Sequence, residues 1–140
     1  MSQQATTGQA QSSDAIIVEV GHEELEHGRV RAELRADGRL LVERRYDGES
    51  ERFEHRLDKD EAQEVIRRAD DLGRLAPSLR SDYRPVPDEA RYRIEMHLAG
   101  REPLAIEVWQ GELEENDEAR KLVNQLAGVV QHATDGRALL

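Results

Sequence analysis

Residues 30–46 read VRAELRADGRLLVERRY, and their period decides the fold. Val30, Ala32 and Leu34 alternate with Arg31, Glu33 and Arg35, the two-residue rhythm of a strand with one face in a core and the other in water. Asp37-Gly38 then supplies the positive-φ pair of a tight hairpin, and Leu40 to Tyr46 returns as a second strand. Outward from this unit the same chemistry repeats. Asp47-Gly48 is a second hairpin turn and Glu51 to Leu57 a third strand, with Phe53, His55 and Leu57 on one side and Arg52, Glu54 and Arg56 on the other. Upstream, Ala15 to Val20 (AIIVEV) is a short β-branched run suited to a buried strand that ends at Gly21. His22 to Gly28 reads as a polar loop.

Beyond the meander the period changes. Asp58 and Glu61 have the spacing of a capping box, and Ala62, Val65, Ile66, Ala69 and Leu72 form one apolar helical stripe, with Gly73 as the expected stop. Leu75 to Glu89 holds Pro77, Pro85 and Pro87 and is expected to be a long loop. Tyr92, Ile94, Met96 and Leu98, then Leu104, Ile106 and Val108 after a turn at Gly100, form another hairpin. Asn116 or Asp117 caps a last helix carrying Ala119, Leu122, Val123, Leu126, Val129 and Val130. The order β-β-β-β-α-β-β-α has no βαβ rhythm, so the reading is an α+β domain, a mainly antiparallel sheet with both helices on one face. Residues 1–14, rich in Gln, Ser and Thr, read as a disordered tail, 15–134 as a single domain and 135–140 as a short C-terminal tail.

Composition narrows the chemistry. The chain has no cysteine, which removes disulfides, thiolate nucleophiles and cysteine-ligated metal sites. Its formal charge is −10. Such a field repels a phosphate backbone and disfavours direct nucleic-acid binding. The basic residues are arginines apart from Lys59 and Lys121, as GC-rich bacterial codon usage or adaptation to high salt would produce. From Arg29 to Leu57 eight arginines stand among seven acids, a mixed surface rather than a basic stripe. No secretory signal or membrane span is legible, so the expected compartment is the cytoplasm.

Motifs for catalysis are missing from the sequence: no Walker loop, no G-x-G-x-x-G and no G-x-S-x-G. His22 and His27 flank an acidic run that invites comparison with H-E-x-x-H. They stand five apart, about 140° round a helix, and cannot converge on one ion. His55, His97 and His132 match no ligand spacing. The expectation is therefore no cofactor, no metal and no catalytic residue. What remains points to recognition. Trp109 falls on the outer side of its strand with Ala105 and Glu107, just before an acidic run that includes Glu112 and Glu114, and tryptophan is enriched at binding hot spots. Tyr83 and Asp88 stand on the proline-rich loop. The same residues also have bland explanations, since acids at a helix start favour its dipole and Trp109 could simply cover a core edge.

The stretch 87–96 (PDEARYRIEM), followed by a second apolar strand and an amphipathic helix, resembles the C-terminal part of the emfourin family. That resemblance implies a protein inhibitor of thermolysin-like metallopeptidases. It carries over no inhibitory residue, and where that family has a glycine-rich strand pair this chain has two Asp-Gly hairpins. The sequence therefore points to a small acidic, non-catalytic protein-binding or regulatory module, whose partner is another protein and which is a monomer or weak homodimer. Two other classes compete with it: an enzyme using a carboxylate pair from Glu112 to Glu118, and an acidic mimic of nucleic acid.

Overall fold

A computed structural model describes residues 14–21, 28–46, 48–75, 84–87, 89–138 and 140. The elements are β1 (Ala15–Gly21), β2 (Arg29–Arg35), β3 (Arg39–Tyr46), β4 (Glu49–Arg56), α1 (Lys59–Leu75), β5 (Arg91–His97), β6 (Leu104–Trp109), α2 (Gln110–Leu113) and α3 (Asp117–Ala133). The strands form one six-stranded antiparallel sheet in the order β4-β3-β2-β1-β5-β6. The fold is α+β, as the alternating and helical periods require. β1 is central, pairing with β2 on one side and β5 on the other. That position explains its β-branched run, because a central strand is flanked by neighbours along both edges.

One face of the sheet carries the core. Ile16, Val18, Ala32, Leu34, Leu40, Val42, Ile94 and Met96 point to the same side, where α1 supplies Ala62, Val65, Ile66, Ala69 and Leu72 and α3 supplies Leu122, Val123, Leu126 and Val130. Each fully buried Leu or Ile in this layer contributes roughly 1.5–3 kcal/mol relative to exposure. Both long helices thus lie on one face and pack against each other. Gly73 is not the stop expected of it: α1 continues to Leu75. The glycine instead lies where the helix passes over β5 and β6, and a Cβ there would meet Met96 Sδ at 3.6 Å and Leu104 Cδ2 at 3.7 Å.

Two buried carboxylates fasten the ends of this layer. Asp14 is 5% exposed, and its Oδ1 accepts the Ala99 N–H at 2.7 Å, tying the start of β1 to the β5–β6 turn. Glu89, 8% exposed, accepts from Val86 N–H at 3.0 Å and Gly111 N–H at 2.6 Å. It joins the approach to β5 to the one-turn helix α2, which periodicity did not reveal. Asn116 is the cap of α3, its side chain accepting the Ala119 N–H at 2.9 Å. The core also reaches Ala138, 1% exposed, inside the segment read from sequence as a C-terminal tail.

Candidate functional site: the open face of the sheet

Strand alternation sends the other set of side chains to the face opposite the helices. Pairing arranges them in rows that cross the sheet from β4 to β6. The central row is Arg52, Glu43, Arg31, Glu19, Arg93 and Glu107, alternating in sign across all six strands. On one side of it lie Glu54, Leu41, Glu33, Ile17, Glu95 and Ala105, acid alternating with apolar. On the other lie Ser50, Arg45, Arg29, Gly21, Arg91 and Trp109. The turn end of the face adds Arg56, Arg39, Arg35, Ala15 and His97. These rows hold nine arginines and six glutamates, so a chain of net charge −10 presents a face with a basic excess. Reading residues 29–57 as a mixed surface did not separate these rows, because face and row are set by strand order.

The charges are paired along and across the strands. Arg93 contacts Glu95 at 3.0 Å and Glu107 at 3.4 Å, Arg45 contacts Glu43 at 2.9 Å, and Arg39 contacts Glu54 at 3.1 Å. Hydrogen bonding to Glu95, followed by the charges of Glu95 and Glu107, holds Arg93 still more firmly in its charged form. Hydrogen bonds from His97 and then Arg93 pull the Glu95 carboxyl below its ordinary value, against a smaller effect of burial. Such exposed pairs are worth about 0–1 kcal/mol each. Their stronger effect is on which surfaces can approach. Between β2, β3 and β4 the face is concave, a cleft of about 450 Å³ with Leu41 inside a ring that includes Arg31, Arg39, Arg52, Glu33 and Glu43.

Trp109 closes the face at its β6 edge. It is half-buried, and the Arg91 guanidinium lies over its ring at 5.4 Å from the centroid while also pairing with Glu107. Glu112 is not free for a partner in this arrangement: its Oε1 accepts the Trp109 N–H at 3.2 Å and caps α2. The indole has no acceptor, so only this half of a capping box exists. Glu114 is exposed, and its carbonyl accepts from Arg120 at 2.9 Å. The structure thus brings Trp109 and Glu112 together and leaves the Glu114 carboxylate in solvent. Tyr83, Asp88, His22 and His27 lie outside the described residues. Alternation puts Arg91 on the outer face of the sheet, but its place opposite Trp109 is not legible in the sequence because it depends on the β5–β6 register.

Other polar groupings are less organised. A cleft of about 560 Å³ between α1 and the β5–β6 turn is lined by both signs, including Asp14, Asp60, Asp70, Arg67, Arg74 and Arg101. Of the acids from Glu112 to Glu118, Asp117 pairs with Arg120 and Glu118 with Lys121, and none lines either cleft. His55 and His132 meet edge to face at 6.2 Å. Among the described residues no three His, Asp or Glu side chains are grouped to hold a metal ion, and no helix is long and apolar enough to cross a membrane. No family model and no curated protein matches the chain.

Proposed function

We propose that the protein is a non-catalytic binding module that engages another protein through the open face of its sheet, with Trp109 and Arg91 as the anchor. The observation that carries this reading is their cation–π pair at the end of a face whose arginines outnumber its glutamates. Tryptophan and arginine are the residues most enriched at binding hot spots, and stacking on an indole keeps a guanidinium ordered at low entropic cost. The partner chemistry that fits is a surface presenting carboxylates. At physiological ionic strength charges beyond about 8 Å are screened, so the facing arginines decide the encounter rather than the net charge of the whole chain. An inhibitory or regulatory role, including the peptidase inhibition that the emfourin resemblance implies, is a special case in which that partner is an enzyme.

The test is capture of partners from native extract on the immobilised protein, comparing wild type with Trp109→Ala and with Glu115→Ala, a change at an exposed acid in the turn between α2 and α3. A stoichiometric partner should be retained by wild type and by Glu115→Ala and bound about tenfold or more weakly by folded Trp109→Ala. Equal capture by Trp109→Ala, or no stoichiometric partner, would remove the reading.

A further inference from the structure

The two edges of the sheet are finished differently. At β6, Gln110 N–H bonds to Ala90 C=O. Antiparallel pairing alternates, so the even-numbered residues of β6 bond to β5, and Ala105, Glu107 and Trp109 direct their backbone groups to the open side. That side is short. Pro103 stands just before it with no N–H to offer, and Glu112 occupies the Trp109 N–H.

The β4 edge has no such closure. Leu57 N–H bonds to Gly38 C=O at 2.8 Å, which fixes the phase of the β3–β4 ladder. Residues 49, 51, 53 and 55 therefore bond to β3, while Ser50, Arg52, Glu54 and Arg56 aim their N–H and C=O groups away from the sheet. All four are exposed, and their outward backbone groups have no partner among the described residues. The strand runs eight residues without proline.

Its charges are ordered for one partner. We propose that β4 is a homodimer edge, pairing antiparallel with β4 of a second copy about a two-fold axis at Phe53, so that two sheets join as one. In this register Arg52 of each copy faces Glu54 of the other, Ser50 faces Arg56, Glu51 faces His55 and Phe53 meets Phe53. Arg52 and Glu54 stay accessible beside their in-chain partners, Glu43 at 3.5 Å and Arg39 at 3.1 Å, their side chains being 85% and 62% exposed. The register is unique among its neighbours. Sliding the copies by one step that keeps the hydrogen-bond phase sets Arg52 against Arg52 in one direction. In the other it sets Glu54 against Glu54 and Arg52 against Arg56, and like charges directly opposite each other are destabilising. A slip of half that step breaks the phase and turns core-facing side chains to the wrong face. A proline, or charges of one sign along the strand, would blunt this edge against a second copy. This strand alternates so as to match its own reverse.

Sedimentation velocity across micromolar to millimolar concentration tests the pairing. Wild type should dimerise reversibly. Arg52→Glu sets carboxylate against carboxylate at two symmetric places and should lower the association constant roughly tenfold or more, as should Glu54→Arg. The double variant Arg52→Glu/Glu54→Arg restores opposite charges and should recover association to within a few-fold of wild type. Circular dichroism checks that each variant is folded. Because the chain has no cysteine, Phe53→Cys gives an independent readout. Mild oxidation should join two copies through it, and should join Arg52→Cys far more slowly, since position 52 faces position 54. A wild type that stays monomeric to about 1 mM, single variants that associate like wild type, or a folded double variant that does not recover would overturn the proposal.

Discussion

Tyr92 lies on the core face of β5 with 7% of its surface exposed, and burial raises its phenol above the ordinary value of 10.0. Below pH 10 both folded and unfolded chains hold this proton, and the contribution is fully present. As pH rises past 10 the unfolded chain releases the proton while the folded chain keeps it, so stability falls until the raised folded value is passed. Tyr92→Phe removes that part of the alkaline loss. Urea unfolding of wild type and variant between pH 8 and 11 should give stabilities within about 1 kcal/mol of each other at pH 8, with the variant losing less above pH 10. An identical alkaline slope would mean that Tyr92 does not carry the effect. Alternation alone placed Tyr92 toward the core, because a strand's period is local. Glu89 was not legible in the same way. Its acceptors' work depends on Val86 and Gly111 converging from two parts of the chain, and in the sequence it is one acid among thirty.

Elements depend on glycine in opposite senses at two positions. Gly38 has φ of +98° in the β2–β3 turn, and a Cβ there would stand 2.4 Å from Leu57 O. Gly128 is an exposed interior residue of α3 with nothing within 4 Å of its would-be Cβ. Gly38→Ala should therefore cost at least about 2 kcal/mol through backbone strain and displacement of Leu57, whereas Gly128→Ala should stabilise by about 1 kcal/mol through helix propensity. Urea midpoints at unchanged m-value measure both; stabilisation by Gly38→Ala would contradict the turn geometry. The Asp-Gly hairpins were readable because the turn and both strands lie within a few residues of each other. Gly73 was misread as a stop because a glycine inside a helix and one after it look alike until the strands beneath are known. The β1–β5 pairing had no local signature either, since three strands and α1 separate the partners in the sequence.

At the scale of the molecule, the docking anchor and the dimer edge are separable. Trp109 sits on β6 and the pairing edge on β4, the two opposite margins of the sheet, about 24 Å apart at ordinary strand spacing. Occupying one margin leaves the other open, and the face between them stays in solvent in a dimer. Net charge then sets when the dimer forms. Two bodies of charge −10 with centres about 30 Å apart repel by about 14 kcal/mol in unscreened water. Screening leaves roughly 5 kcal/mol of this at 0.01 M salt and less than about 0.5 kcal/mol at 0.15 M. The facing Arg52 and Glu54 pairs are worth at most about 1 kcal/mol each and act at contact distance, so the long-range repulsion dominates at low salt and the local match decides at physiological salt. Dimerisation should therefore strengthen as sodium chloride rises from 10 to 150 mM, the reverse of an association driven by opposite net charges. Sedimentation at fixed protein concentration, with Trp109 fluorescence followed in parallel, should show the dimer fraction increasing while emission from the distant indole stays constant. A dimer fraction that falls over that range would assign the association to attraction between oppositely charged surfaces, and an emission shift that tracks the dimer would place the contact at β6 instead of β4.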